Sequence, residues 1–129
     1  MSDPNFYQYL LDVPQVASLI GDRIYPIRAP QSELRPFVVW VRSGVERQQT
    51  YCGANAVVRA EYTFSCYGST PDEAQSVHLA IRNAMQDFAG LMGDVHVKHC
   101  FLRDDFDLED EDPDIYSVRQ LWEVHYVES

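Results

Sequence analysis

Between Val57 and Cys66 the chain alternates with period two: Val58, Ala60, Tyr62, Phe64 and Cys66 fall on one side, Arg59, Glu61, Thr63 and Ser65 on the other. Successive side chains of an extended strand point to opposite faces, so this run predicts a strand with one dry and one wet face. A dry face has to be covered, and the next residues supply the cover. Ser69-Thr70-Pro71-Asp72-Glu73 has the grammar of a helix start. Thr70 is a hydroxyl cap, Pro71 stands where a missing N–H costs nothing, and the acids complement the positive end of the helix dipole. Glu73, three residues after Thr70, permits a capping box. Ala74, Val77, Ile81, Ala84, Met85 and Phe88 then recur at helical spacing, with Gly90 or Gly93 as the stop. A half-buried strand followed directly by the helix that covers it confines the chain to a layered α/β arrangement.

The remaining segments fit one such layer pair. Asp3-Pro4-Asn5 followed by Phe6, Tyr7, Tyr9, Leu10 and Leu11 predicts a first short helix. Pro14 to Ile20 predicts a second, with Val16, Leu19 and Ile20 as its stripe and Gly21 as its stop. Arg23 to Ile27 is a brief extended piece broken by Pro26, at best an edge strand. Phe37-Val38-Val39-Trp40-Val41 is β-branched and aromatic throughout, predicting a strand that runs to about Arg47 and joins the alternating one through a hairpin over Gln48 to Asn55. Val95 to Leu102 and Tyr116 to Tyr126 predict two more strands, separated by an acidic loop from Asp104 to Asp114. The expected fold is therefore α+β: an antiparallel four- to five-stranded sheet, one long helix packed on one face, and short N-terminal helices. Trp40, Tyr62, Phe64, Ile81, Phe88 and Trp122 are the expected core. Residues 1–129 read as one domain, with no repeat and no linker.

Charge narrows the functions. The net charge is -10, and eight of the twenty acids, Asp104, Asp105, Asp107, Glu109, Asp110, Glu111, Asp112 and Asp114, lie in that one segment. Affinity for nucleic acid comes mainly from cations that displace counterions, so tight nucleic-acid binding is not expected. No apolar run approaches the ~20 residues that cross a bilayer, and the N-terminus lacks the pattern of a secretory signal, so synthesis in a cytoplasm is expected. Cys52, Cys66 and Cys100 are an odd set without a C-x-x-C pair, which predicts reduced thiols.

No constellation points to catalysis or a cofactor. His96, His99 and Cys100, with His78 and His125 nearby in a folded chain, raise the possibility of a metal site. However, positions 96 and 99 of a regular strand face opposite ways and cannot share an ion without a bulge. The acidic run offers hard oxygen ligands for calcium but lacks the glycine and the spacing of an EF-hand loop. There is no G-x-S-x-G, no P-loop and no G-x-G-x-x-G. The residues point instead to contacts with other proteins, through exposed connections: Gln48, Gln49, Tyr51 and Asn55 in the hairpin, and the eight acids in the loop.

Three runs occur in a recognisable order: Leu19-Ile20-Gly21-Asp22-Arg23-Ile24-Tyr25-Pro26, then Arg35-Pro36-Phe37-Val38-Val39, then the alternating strand with Ser69-Thr70-Pro71-Asp72-Glu73-Ala74. In this order the chain resembles the small tail-completion, or tail-terminator, proteins of tailed bacteriophages over about residues 10 to 90. The long acidic loop departs from that pattern. The resemblance implies a virion structural protein without catalytic residues, made in the host bacterium, that caps the tail tube as a hexameric ring and forms the tail-to-head joint. Its implied partners are further copies of itself, the tail tube protein and the head connector or head-closure protein, with DNA passing through an acidic lumen, no cofactor and no membrane. The alternatives are another neck or head-closure component, or a generic acidic or calcium-responsive interaction module.

Overall fold

The computed structural model describes residues 3–30, 34–47, 56–109 and 115–128. In chain order these form α1 (Phe6–Leu11), α2 (Pro14–Ile20), β1 (Ile24–Pro26), β2 (Phe37–Arg47), β3 (Ala56–Gly68), α3 (Pro71–Met85), β4 (Gly90–Met92), β5 (Val95–Glu109) and β6 (Tyr116–Glu128). The α+β class and the short N-terminal helices are as expected, but the sheet is larger than predicted and not wholly antiparallel. It has six strands in the order β1-β2-β3-β6-β5-β4. β1 runs parallel to β2, whereas the other neighbours are antiparallel.

Each departure has a local cause. β1 is an edge strand, as its proline allowed, and lies parallel to β2 with the Arg23 guanidinium tying its start there: Nε donates to the Pro36 carbonyl at 2.9 Å while Nη2 reaches the Leu19 carbonyl at 3.4 Å. Gly21, at φ 59, ends α2 just before it. β4 is too short to show in a hydropathy pattern. α3 stops at Met85, short of Phe88, because Asp87 adopts φ 61 and turns its N–H to the Cys100 carbonyl at 2.8 Å. Phe88 instead packs against Tyr9, the ring centroids 4.5 Å apart and the planes tilted by 52°.

The helix start forms nearly as read. Thr70 Oγ1 accepts from the Glu73 N–H at 3.1 Å, and the Glu73 carboxylate reaches back to the N–H of Ser69 at 2.8 Å, one residue before the cap. Gly68 makes this junction possible: a Cβ there would lie 2.7 Å from the Ala74 backbone nitrogen. α3 then lays Ala74, Val77, Ile81 and Met85 over β3 and β6.

Phe6 of α1 is the hub of the core, meeting Trp40, Tyr62 and Phe64 edge-on at 5.2, 4.8 and 5.2 Å. Edge-to-face contact sets the positive ring edge against a negative face, adding ~0.5–1.5 kcal/mol per pair to area burial. Tyr62, Phe64, Ile81 and Trp122 are fully buried, as expected; Trp40 and Phe88 are only partly so. No helix among the described residues is long and apolar enough to cross a membrane.

Candidate interaction surface

The main correction concerns the acids. Asp104, Asp105, Asp107 and Glu109 are not in a loop: β5 continues through them to Glu109, paired with β6 down to Tyr116. Asp110, Glu111, Asp112 and Asp114 lie outside the described residues, as do Gln48, Gln49, Tyr51 and Asn55. The acids can enter a strand because the register shifts between Leu102 and Asp104, making Arg103 the extra residue of a β-bulge. Beyond the bulge Asp105 and Asp107 turn to the helix-covered face. There they find partners: His78 Nε2 stands 3.0 Å from Asp105 Oδ2, and the Gln75 amide donates to Asp107 at 3.3 Å.

Behind Asp105 lies a buried polar chain. Trp122 Nε1 donates to Gln120 Oε1 at 3.1 Å, and Gln120 Nε2 donates to the His78 carbonyl at 3.0 Å. The first contact requires an acceptor and the second a donor, so the orientation of the amide is fixed. Gln120 Nε2 also lies 2.6 Å from His78 Nδ1, which must therefore be the unprotonated acceptor, leaving Nε2–H to face Asp105. Burial lowers the His78 pKa against the upward pull of Asp105, and Arg82 adds to the lowering. The chain ties α3 to β5 and β6 and shapes no substrate cavity. Sequence reading missed it because Gln120 occupies an inward position of β6 like any apolar residue.

A second bulge, between Val97 and His99, overturns the expectation that His96 and His99 face opposite ways. Val97 and Cys100 are both buried, and both histidines are exposed. His99 pairs with Asp87 at 3.2 Å and lies across from His125, while His78 is engaged in the buried chain described above. Among the described residues no group of three or more His, Cys, Asp or Glu is placed to hold a metal ion. Burial pushes the Cys66 and Cys100 thiols up to about 12, with Asp87 contributing at Cys100. A thiol so raised is a small hydrophobe, not a nucleophile.

What the molecule presents outward is sheet. β1 pairs only with Val38–Trp40 of β2, and Ile27 adds one bond to the Trp40 carbonyl at 2.8 Å. Among the described residues no strand pairs with β2 on that side from Val41 to Arg47, and the Arg42 guanidinium reaches Asp3 at 3.3 Å. At the other margin β4 pairs only with Val95–Val97; next to it the turn after α3 covers β5, the Asp87 N–H donating to the Cys100 carbonyl at 2.8 Å and the Leu102 N–H to the Gln86 side chain at 3.0 Å. The face away from α3 carries the stacked Phe37–Tyr67 pair, at 4.8 Å, and the exposed Val41 and Phe106. Arg103 bridges Glu61 and Glu123 on the same sheet, at 3.5 and 3.4 Å. Beside β1 an open groove of about 570 Å³ is lined by Tyr7, Tyr25, Pro26 and Trp40, with Asp3 and Asp22 at its rim.

Margins of the sheet where β2 and β5 lack a strand neighbour along part of their length among the described residues, with exposed apolar side chains beside them, suit an assembly subunit. The sequence matches the family model described as Tail completion protein gp17 over residues 5–125, and the chain belongs to that family. It is thus a structural protein of the phage virion, a component of its tail or neck. The fold is similar to that of a chain from a solved particle described as "Virion of native gene transfer agent (GTA) particle". The TM-score is 0.71 at 14% identity, covering 95% of this chain and 91% of that one. No curated protein matches the sequence. The motif residues that carried the resemblance have structural work: Gly21 ends α2 and Arg23 clamps α2 to β2.

Proposed function

We propose that this chain completes the phage tail tube and forms the tail-to-head joint as a hexameric ring with an acidic lumen. Its neighbours would be copies of itself around the ring, the tail tube protein on one side and the head connector or head-closure protein on the other. Residues 1–129 act as one unit in this reading. The observation that carries it, beside family membership, is that β2 and β5, toward opposite margins of one sheet, each lack a strand neighbour along part of their length among the described residues, since a contact between unlike surfaces closes into a ring when its rotation allows. The net charge of -10 supports the lumen. DNA phosphates slide past a wall of their own sign, whereas a basic wall would hold them through released counterions. Light scattering and electron microscopy of the purified protein, alone and mixed with tail tubes, test the reading. Rings of six with a central hole, free or on tube ends, are the expected result. A monomer that also leaves tube ends bare would refute it.

A further inference from the structure

We infer that neighbouring copies join by seating Phe106 and Arg119, on the uncovered sheet face of one copy, in the groove beside β1 of the next, where Arg119 meets Asp22. The inference rests on the ring reading and says which surfaces make the ring.

The face that inserts is not built for solvent. An antiparallel sheet covered on one side turns apolar residues inward and polar residues outward. β2 departs from this: Val38 is fully buried, yet Phe37, Val39 and Val41 alternate with it onto the face away from α3. Tyr67 and Leu121 join them there, with Phe106, which is 39% exposed. Among these stands Arg119, across from Phe106 on one side and Ser65 on the other. Its Nε is buried without a hydrogen-bond partner, and no carboxylate pairs with the guanidinium among the described residues. The chain has twenty acids to ten bases, so an arginine left unpaired on an apolar field is one whose acid comes from outside. Aromatic residues and arginine are also the types enriched where proteins meet.

The groove supplies what Arg119 lacks. It measures about 570 Å³ and is lined by Tyr7, Tyr25, Pro26 and Trp40, with Asp22 at its rim. The Asp22 carboxylate is exposed and has no partner among the described residues. The other rim acid, Asp3, is already held by Arg42 and the Tyr62 hydroxyl. A phenyl ring entering the groove would lie against Tyr7, itself 45% exposed. Just beyond Pro26, Ile27 juts out at 70% exposure and φ 71, a conformation that a β-branched residue rarely adopts. The Trp40 carbonyl fixes it by accepting its N–H at 2.8 Å. Strain held in this way clusters where a protein binds.

Height and sign agree. Copies in a ring are related by rotation without rise, so with strands along the axis the parts that meet share a height. Ile24 pairs with Val38 and Asp22 lies two residues earlier, whereas Arg119 shares the row of Val39 through Ser65. These heights differ by no more than about 10 Å along the strands, a gap that the long arginine side chain narrows. Ile27 stands near the row of Val41, Thr63, Leu121 and Asp104, which sets it against Leu121 and brings the exposed Arg28 beside it toward Asp104. Along the same direction the groove thus reads acid then base, and the face base then acid. Two faces or two grooves brought together would leave both unpaired charges without a partner.

The test uses the full chain carrying Arg119→Asp, Asp22→Arg or both, with melts followed by circular dichroism to show that each variant folds. Rings and capped tube ends are counted by electron microscopy over a concentration series with tail tubes. Each single reversal should raise the concentration needed by about tenfold or more, because it sets like charges against each other, and the double reversal should bring it back. Cysteines give a second measurement. In a Cys52→Ser background, Asp22→Cys and Arg119→Cys proteins assembled and oxidised together should form covalent dimers, and neither alone should. Within one copy β2 and β3 separate β1 from β6, so such a bond joins two copies. Single reversals that assemble like the unmodified protein, or a double reversal that stays impaired with no mixed dimers, would overturn the contact and leave the ring reading intact. Dimers from one cysteine variant alone would overturn the unlike pairing. Reversals that keep rings but bare the tube ends would assign the face to the tube protein and overturn the contact between copies. Absence of both rings and capped ends with the unmodified protein would overturn the ring reading and this inference together.

Discussion

Replacing Gln120 by leucine tests the buried chain that joins α3 to β5 and β6. Leucine nearly keeps the volume but removes every hydrogen bond of the amide. Trp122 Nε1 loses its acceptor at 3.1 Å and His78 Nδ1 its donor at 2.6 Å, and Trp122 is fully buried, so water does not replace the loss at the indole. A buried polar group left unsatisfied costs ~1–3 kcal/mol, giving about 2 to 6 kcal/mol for the two. The apolar gain of the leucine side chain offsets ~1–2 kcal/mol of that, so a net loss of roughly 1 to 4 kcal/mol is expected. For a chain of this size each kcal/mol moves Tm by about 3 to 5 °C, so a melt followed by circular dichroism should fall by about 10 °C at pH 7.5.

The same residue carries a pH signature. In the native protein Gln120 turns an N–H toward Nδ1 of His78, and burial already lowers the pKa of that group from 6.5. The unfolded chain therefore binds the proton more readily than the folded one between 6.5 and the lowered native value. Stability is complete above 6.5 and falls as the pH drops through that window. In the leucine variant the opposing donor is gone while Asp105 remains 3.0 Å from Nε2, so the protonated ring is better tolerated and the loss between pH 7.5 and 5.5 should shrink. The other three histidines cancel in the difference between wild type and variant. The least that one orphaned buried group should cost is about 1 kcal/mol. A variant that loses less than this at pH 7.5, or one with an unchanged pH slope, would refute the account.

Further expectations follow from single contacts. Gly68→Ala should lower stability by roughly 1 to 3 kcal/mol, the usual cost of overpacking, because its new Cβ would lie 2.7 Å from the Ala74 nitrogen; urea midpoints measure it. Ile81→Ala, at a fully buried site, should cost ~2–5 kcal/mol by the cavity argument, read in the same titration. Arg23→Ala should cost ~1–3 kcal/mol and, by hydrogen exchange, loosen β1 and the end of α2 before the rest of the sheet. With an Ellman-type reagent, Cys66 and Cys100 should stay unlabelled in the native protein and react on unfolding, since burial holds both thiols up at about 12.

How far the sequence can be read is shown by where it misleads. The strand from Val57 to Cys66, the capped helix after it and the buried Tyr62, Phe64, Ile81 and Trp122 are legible because each follows a period set by local geometry. β4 and the partnership of β1 with β2 are not, since stretches of three residues carry no period and owe their place to Arg23 and to the turn at Asp87. The acids from Asp104 to Glu109 invite a loop assignment by their charge alone, yet Phe106 and Leu108 alternate with Asp105, Asp107 and Glu109 at the strand period. What hid that signal is the bulge at Arg103, which shifts the phase between Leu102 and Asp104 and makes one strand read as two unrelated pieces. Bulges are invisible to a pattern search and decisive for a surface. The one at Arg103 turns Asp105 inward to His78 and leaves Asp104 exposed on the row of Val41. One irregularity thus anchors β5 to α3 and decides which acids face solvent.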